Sequence, residues 1–185
     1  MKSPFSNLFP FMDLSSAVTL CLLYVIFIIS MKFLLSNNPH RIKNAIPAEI
    51  ITAIAAVHNL QLVFLSLFLS IGMYVEAYNL KMNIWGNPAY SDKSHQTMAK
   101  LLCLFYLSKI PELFDTVLML LKGNLRQVTF LHLYHHTSIF LLWNFVVWWA
   151  PYGDAYFPSS LNCVVHVVMY WYYFSTAVKL RILFI

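Results

Sequence analysis

Charge is scarce in this chain. Of 185 residues only 10% are Asp, Glu, Lys or Arg, against 60% hydrophobic. An ordinary soluble domain carries about 25% charged residues, so a soluble globule and a disordered segment are both excluded. The net charge of +5 is spread thinly between apolar segments and forms no basic stripe, which argues against nucleic acid as a partner and for charges that flank membrane spans. Glycine is equally rare, with four in the whole chain and no glycine-rich phosphate loop. A dinucleotide-dependent reduction is therefore not expected. The three cysteines, Cys21, Cys103 and Cys163, all sit in apolar runs and are odd in number, so they read as small hydrophobes and not as a disulfide framework. No Asn-x-Ser/Thr sequon is present.

Long uncharged runs fill the space that charge leaves. About 20 apolar residues cross a bilayer as a helix, and five segments reach that length: residues 12–35, 46–73, 98–121, 127–149 and 158–178. The expected fold is an all-α membrane protein, one integral membrane domain over residues 1–185. Lys2 precedes a run longer than a signal-peptide core and without a small-x-small cleavage site, which predicts an uncleaved anchor. Lys32, Arg41 and Lys43, then Lys122 and Arg126, then Lys179 and Arg181 follow alternate spans. The positive-inside rule places all of them in the cytosol and the N-terminus on the lumenal side. The mixed-charge loop 74–97 falls on the far side, and Trp148, Trp149 and Tyr152 suit an interfacial belt. Pro111 lies inside the third span and predicts a kink.

Polar groups at membrane depth are costly and mark function by default. On the fourth span His132, His135 and His136 fall at about 0°, 300° and 40°, a single face. On the third, Lys109, Glu112, Asp115 and Thr116 occupy an arc of about 120°. On the fifth, Asn162, Tyr170 and Tyr173 all lie within about 40° of His166. His58, Asn59, Gln61 and Ser66 on the second span read as helix-to-helix glue or as cavity lining. Three polar faces on three helices are best accommodated around a common, buried, histidine-rich chamber. Imidazole there can serve as base, acid, nucleophile or metal ligand, and composition does not choose among them.

His-x-x-His-His also occurs in membrane di-iron oxygenases and desaturases, but a di-metal centre needs more ligands than this chain supplies. Of its seven histidines, His40 and His95 lie in loops and His58 stands apart. A mononuclear zinc on three imidazole nitrogens and a water is the remaining metal alternative, but the expectation is no metal and no other cofactor. Taken together, Lys109-x-x-Glu112-x-x-Asp115-Thr116, His132-x-x-His135-His136 and His166-x-x-Met169-Tyr170-x-Tyr172-Tyr173 resemble the fatty-acid elongase (ELO) family of the endoplasmic-reticulum membrane.

That resemblance implies a condensing acyltransferase: long-chain acyl-CoA and malonyl-CoA give a 3-oxoacyl-CoA two carbons longer, with loss of carbon dioxide and CoA. It implies His135 as nucleophile or base with His166 as its partner. His132, His136, Asp115 and Glu112 would tune their protonation, and Lys109 would balance charge. Other elongation-cycle membrane enzymes, or further copies of the chain, are implied partners. The family resemblance also implies seven helices, six of them around an acyl tunnel; five are expected up to Ile185, without the Thr-x-x-Gln motif of the family. A non-catalytic membrane partner is the alternative reading, and a His-box oxygenase the third. A separate nucleophile, Cys163 three residues before His166, competes with the buried inert thiol it would otherwise be.

Overall fold

The structure, a computed structural model, describes residues 13–38, 46–88, 93–149 and 151–180. Among the described residues the fold consists of five long helices and no strand: α1 (Leu14–Asn37), α2 (Ala48–Asn79), α3 (Gln96–Leu121), α4 (Phe130–Trp149) and α5 (Tyr156–Ala177). Two single-turn 3₁₀ segments, Lys93–His95 and Gly153–Ala155, precede α3 and α5. Lys2, His40, Arg41, Lys43 and Arg181 lie outside the described residues.

Local chemistry sets most boundaries. Asp13 caps α1, its Oδ2 accepting from the Ser16 N–H at 2.8 Å. Thr129 does the same for α4, accepting from the His132 N–H at 3.1 Å, so this helix begins three residues later than the expected residue 127. The second helix runs six residues past the expected residue 73, because Met73 and Ala77 stay buried in the core and the helix ends only where Lys81 takes a positive φ of 53°. Pro111 does not break α3, which is continuous across it.

Among the described residues only α1 and α2 are both long and apolar enough to cross a membrane on those two criteria alone. The other three, at 26, 20 and 22 residues, are about 30–39 Å long and match a bilayer in length. Their polar stripes lower their mean hydropathy.

At the centre of the bundle stands α3, which packs against each of the other four helices; the most extensive pairing is α2 with α5. Small buried residues on that pair, Ala55, Ala56, Ser66 and Ser70 on α2 with Ser159, Ser160 and Cys163 on α5, permit close backbone approach. Phe105 and Trp143 meet edge to face at 4.7 Å and Tyr106 tilts on Phe140 at 5.0 Å, joining α3 to α4.

The helices alternate in direction. One end of the bundle therefore carries Lys32, Lys122, Arg126 and Lys179, and the other carries the loop after α2 and the turn before α5. At that second end the Asp154 carboxylate accepts from the Gly86 N–H at 3.0 Å, the Asn87 N–H at 2.8 Å and the Asn87 side-chain amide at 2.7 Å. These donors hold its carboxyl below the ordinary aspartate range. Tyr156 Oη adds a bond to the Asn83 carbonyl at 2.9 Å. Tyr152, expected in an interfacial belt, is instead buried, whereas Trp149 is exposed. The turn folds Tyr152 inward, under the helix ends.

Candidate active site

The central helix distributes its polar residues to different neighbours. Lys109 Nζ donates to Glu112 Oε1 at 2.8 Å and to Asn162 Oδ1 of α5 at 2.8 Å. His166, one turn on from Asn162, places its Nδ1 at 3.1 Å from the same Glu112 oxygen. Lys109, Glu112 and His166 are all buried, at 3%, 5% and 9% exposure. A lone charge at this depth would cost several kcal/mol. Three mutually bonded groups with an amide oxygen reduce that cost.

One turn further along α3, Asp115 divides its two oxygens. Oδ1 meets His58 Nε2 of α2 at 2.8 Å, and Oδ2 accepts from Tyr170 Oη of α5 at 2.6 Å. The adjacent Thr116 turns the other way, to His132 Nε2 of α4 at 2.8 Å and to Tyr24 Oη of α1 at 2.5 Å. His132 stacks obliquely on His136 with ring centroids 4.5 Å apart, and His136 meets His135 edge-on at 5.7 Å.

The three polar faces expected from the sequence thus meet at α3, but not evenly. Lys109, Glu112, Asn162 and His166 form one cluster, and Asp115 with Tyr170 a second. The third cluster is Thr116 with His132 and His136. His135 is exposed on α4 and has no hydrogen bond from its ring among the described residues. The expected pairing of His135 with His166 is accordingly absent from the contacts of both residues, because α3 stands between their helices and takes His166 for Glu112. Tyr173 contributes an edge contact to Tyr170 at 6.2 Å.

A cavity of about 430 Å³ opens toward the basic end. It is lined by Asp115, Tyr173, Asn59, Lys122, Asn124 and Gln127 among others, and by none of the four site histidines. The expected chamber therefore shares Asp115 and Tyr173 with a real cavity, while the histidines sit beside it. Among the described residues no group of three or more His, Cys, Asp or Glu is arranged to hold a metal ion.

Two partners in this network were not legible as such in sequence. His58 looked solitary on its helix, yet it holds Asp115; its place beside Asn59 and Gln61 in an otherwise apolar span was the available signal. Tyr24 lies in an apolar run with no neighbouring polar residue at helical spacing, and nothing local marks its bond to Thr116. Cys163 is buried at 2% exposure with no hydrogen bond among the described residues, and Gln61 points outward, exposed.

Comparison with known proteins gives a consistent pattern. The sequence profile described as the GNS1/SUR4 family (ELO) matches residues 9–184. A protein named fatty acid elongase 6 from Leishmania major is 38% identical over 173 residues, covering 94% of this chain and 43% of that protein. Very long chain fatty acid elongase 2 of Mus musculus is 34% identical over 154 residues, 80% of this chain and 51% of its own length. Very long chain fatty acid elongase 5 of Homo sapiens is 36% identical over 121 residues, 65% of this chain and 40% of its own. The chain spans about half the length of the curated relatives it matches.

Proposed function

The chain belongs to the ELO (GNS1/SUR4) family of fatty acid elongation, and on that premise we propose that its site serves a 3-oxoacyl-CoA synthase reaction between a long-chain acyl-CoA and malonyl-CoA. The observation that carries this reading is the buried Lys109–Glu112–His166 cluster. A carboxylate that receives His166 Nδ1–H fixes the ring tautomer, leaving Nε2 with its lone pair free as base or nucleophile. With Lys109 on one side of Glu112 and His166 on the other, an imidazolium formed during proton transfer would lie beside a fixed carboxylate.

In the proposed reaction malonyl-CoA loses carbon dioxide, and the electron pair of the broken C–C bond passes to its α-carbon. That carbon attacks the acyl carbonyl, either of the thioester itself or of an acyl group first moved to His135. CoA leaves as the thiol after taking a proton. His135 has both ring nitrogens unengaged by the described residues, which suits a nucleophile; His166 is held in place, which suits a base. Asp115, at the cavity wall, positions Tyr170 and His58.

The membrane of residence is proposed to be the endoplasmic reticulum. The end bearing Lys32, Lys122, Arg126 and Lys179 would be cytosolic and the N-terminus lumenal. No cofactor is invoked, and the substrates would be the two CoA thioesters.

Microsomes expressing the chain, supplied with labelled malonyl-CoA and acyl-CoA of several lengths, are expected to yield labelled acyl products two carbons longer, and His166→Ala to abolish them. The exposed flank of α4, with His135, Phe130, Leu131 and Tyr134 open, favours a second reading, a non-catalytic membrane partner. Absence of product at every chain length would select it.

A further inference from the structure

The mechanism above makes no use of Tyr24 of α1, which lies outside every motif and is bonded to Thr116. Hydrogen counting along Tyr24–Thr116–His132 has one solution. Thr19, Thr52 and Thr137 each donate their hydroxyl to the carbonyl four residues back, at 2.8 Å. Thr116 does not; its oxygen lies 2.5 Å from Tyr24 Oη and 2.8 Å from His132 Nε2, and it is fully buried. Its proton therefore goes to one of those two atoms. If it went to Tyr24 Oη, the phenol's own proton would have no acceptor, because Tyr24 has no other hydrogen-bond partner among the described residues. A buried donor left unpaired costs about 1–3 kcal/mol. The other direction satisfies every group: Tyr24 O–H donates to Thr116, and Thr116 O–H donates to His132 Nε2.

We propose that Tyr24 and Thr116 are positioning residues that lock His132 as the neutral imidazole with its proton on Nδ1, making His132 a hydrogen-bond donor to a thioester or enolate oxygen and not a base. The Nδ1 atom has no hydrogen-bond partner among the described residues, and the ring is only partly covered, so its N–H is available to an incoming oxygen. A donor of fixed direction, close to a second imidazole at 4.5 Å, is what an oxyanion developing on an acyl carbonyl requires. The role as donor rests on the condensation reading above; the tautomer does not.

The test is nitrogen NMR of the full chain, labelled at histidine and reconstituted in lipid nanodiscs, with the His132 signals assigned by their loss in His132→Gln. In the wild type, Nδ1 is expected in the protonated, pyrrole-type range and Nε2 in the unprotonated, pyridine-type range. The reverse pattern, or two protonated nitrogens, overturns the proposal. Thr116→Val is expected to shift His132 to the Nε2–H form, and Tyr24→Phe to give both forms, since Thr116 is then free to turn to a carbonyl. A spectrum unchanged by Thr116→Val would overturn the relay, and one unchanged by Tyr24→Phe would remove Tyr24 from it. If either variant fails to fold, the wild-type pattern alone decides the direction. In the labelled malonyl-CoA assay, His132→Asn, whose amide N–H lies near the place of Nδ1, is expected to retain more activity than His132→Gln; equal loss would overturn the donor role. A wild type with the expected tautomer and no product would sink the condensation reading while leaving the tautomer assignment standing.

Discussion

Lys109 shows how much a single side chain can matter at this depth. Among the described residues it is the only cation bonded to Glu112 besides a histidine that is charged only when protonated. Replacing it with methionine leaves a buried carboxylate short of its counter-charge, and loss of one partner from a buried pair costs about 3–5 kcal/mol. Lys109→Met is expected to lower stability by that order in denaturant or thermal unfolding in micelles. The double change Lys109→Met with Glu112→Gln should recover part of the loss, because the two residues share one interaction. His58→Phe is expected to cost less, about 1–3 kcal/mol, since Asp115 keeps its bond from Tyr170. These residues differ in how far they could be read in advance. Lys109, Glu112 and Asn162 announced themselves by helical spacing, which is a local property. His58 and Tyr24 did not, because their partners lie 57 and 92 residues away and only packing brings them together.

At the scale of the element, the start of α4 governs the first histidine. The Thr129 side chain caps the backbone N–H of His132, and Lys32 Nζ of α1 holds the Val128 carbonyl just before it at 2.6 Å. Thr129→Ala is expected to cost about 0.5–2 kcal/mol and to raise amide hydrogen exchange through the first turn of α4 while leaving α2 and α5 unchanged. The five helices themselves were legible, because an apolar run of bilayer length has few alternatives. Their ends were less so. Tyr74 to Asn79 mixes Glu76 with two tyrosines and reads as loop, yet Ala77 and Met73 bury one side of it and hold it helical. The common chamber was also only partly legible: spacing fixed which residues share a face, but helix packing decided that α3 would separate His166 from the histidines of α4.

Across the whole molecule the two ends of the bundle behave differently. The basic end holds the cavity, and the other is tied by Asp154 across 67 or 68 residues of sequence to Asn87 and Gly86. Because the folded carboxyl lies below the ordinary aspartate value of 3.8, this tie is fully present above that value. It is lost only as pH falls through the lower folded value. Limited proteolysis of the loop after α2 is therefore expected to be unchanged from neutral to mildly acidic pH and to accelerate only in strong acid, whereas Asp154→Ala should expose the loop at neutral pH. The central position of α3 carries a different consequence, for biogenesis. Its buried Lys109 and Glu112 bond to each other, and with Asp115 and Thr116 they find their remaining partners on α1, α2, α4 and α5. A charged side chain at the bilayer centre costs about 2.5–3.5 kcal/mol on insertion scales, so this segment gains little by partitioning into lipid alone. It enters the bilayer as a dependent of its neighbours, and α5, synthesised last of the five, completes the environment that lets α3 stay.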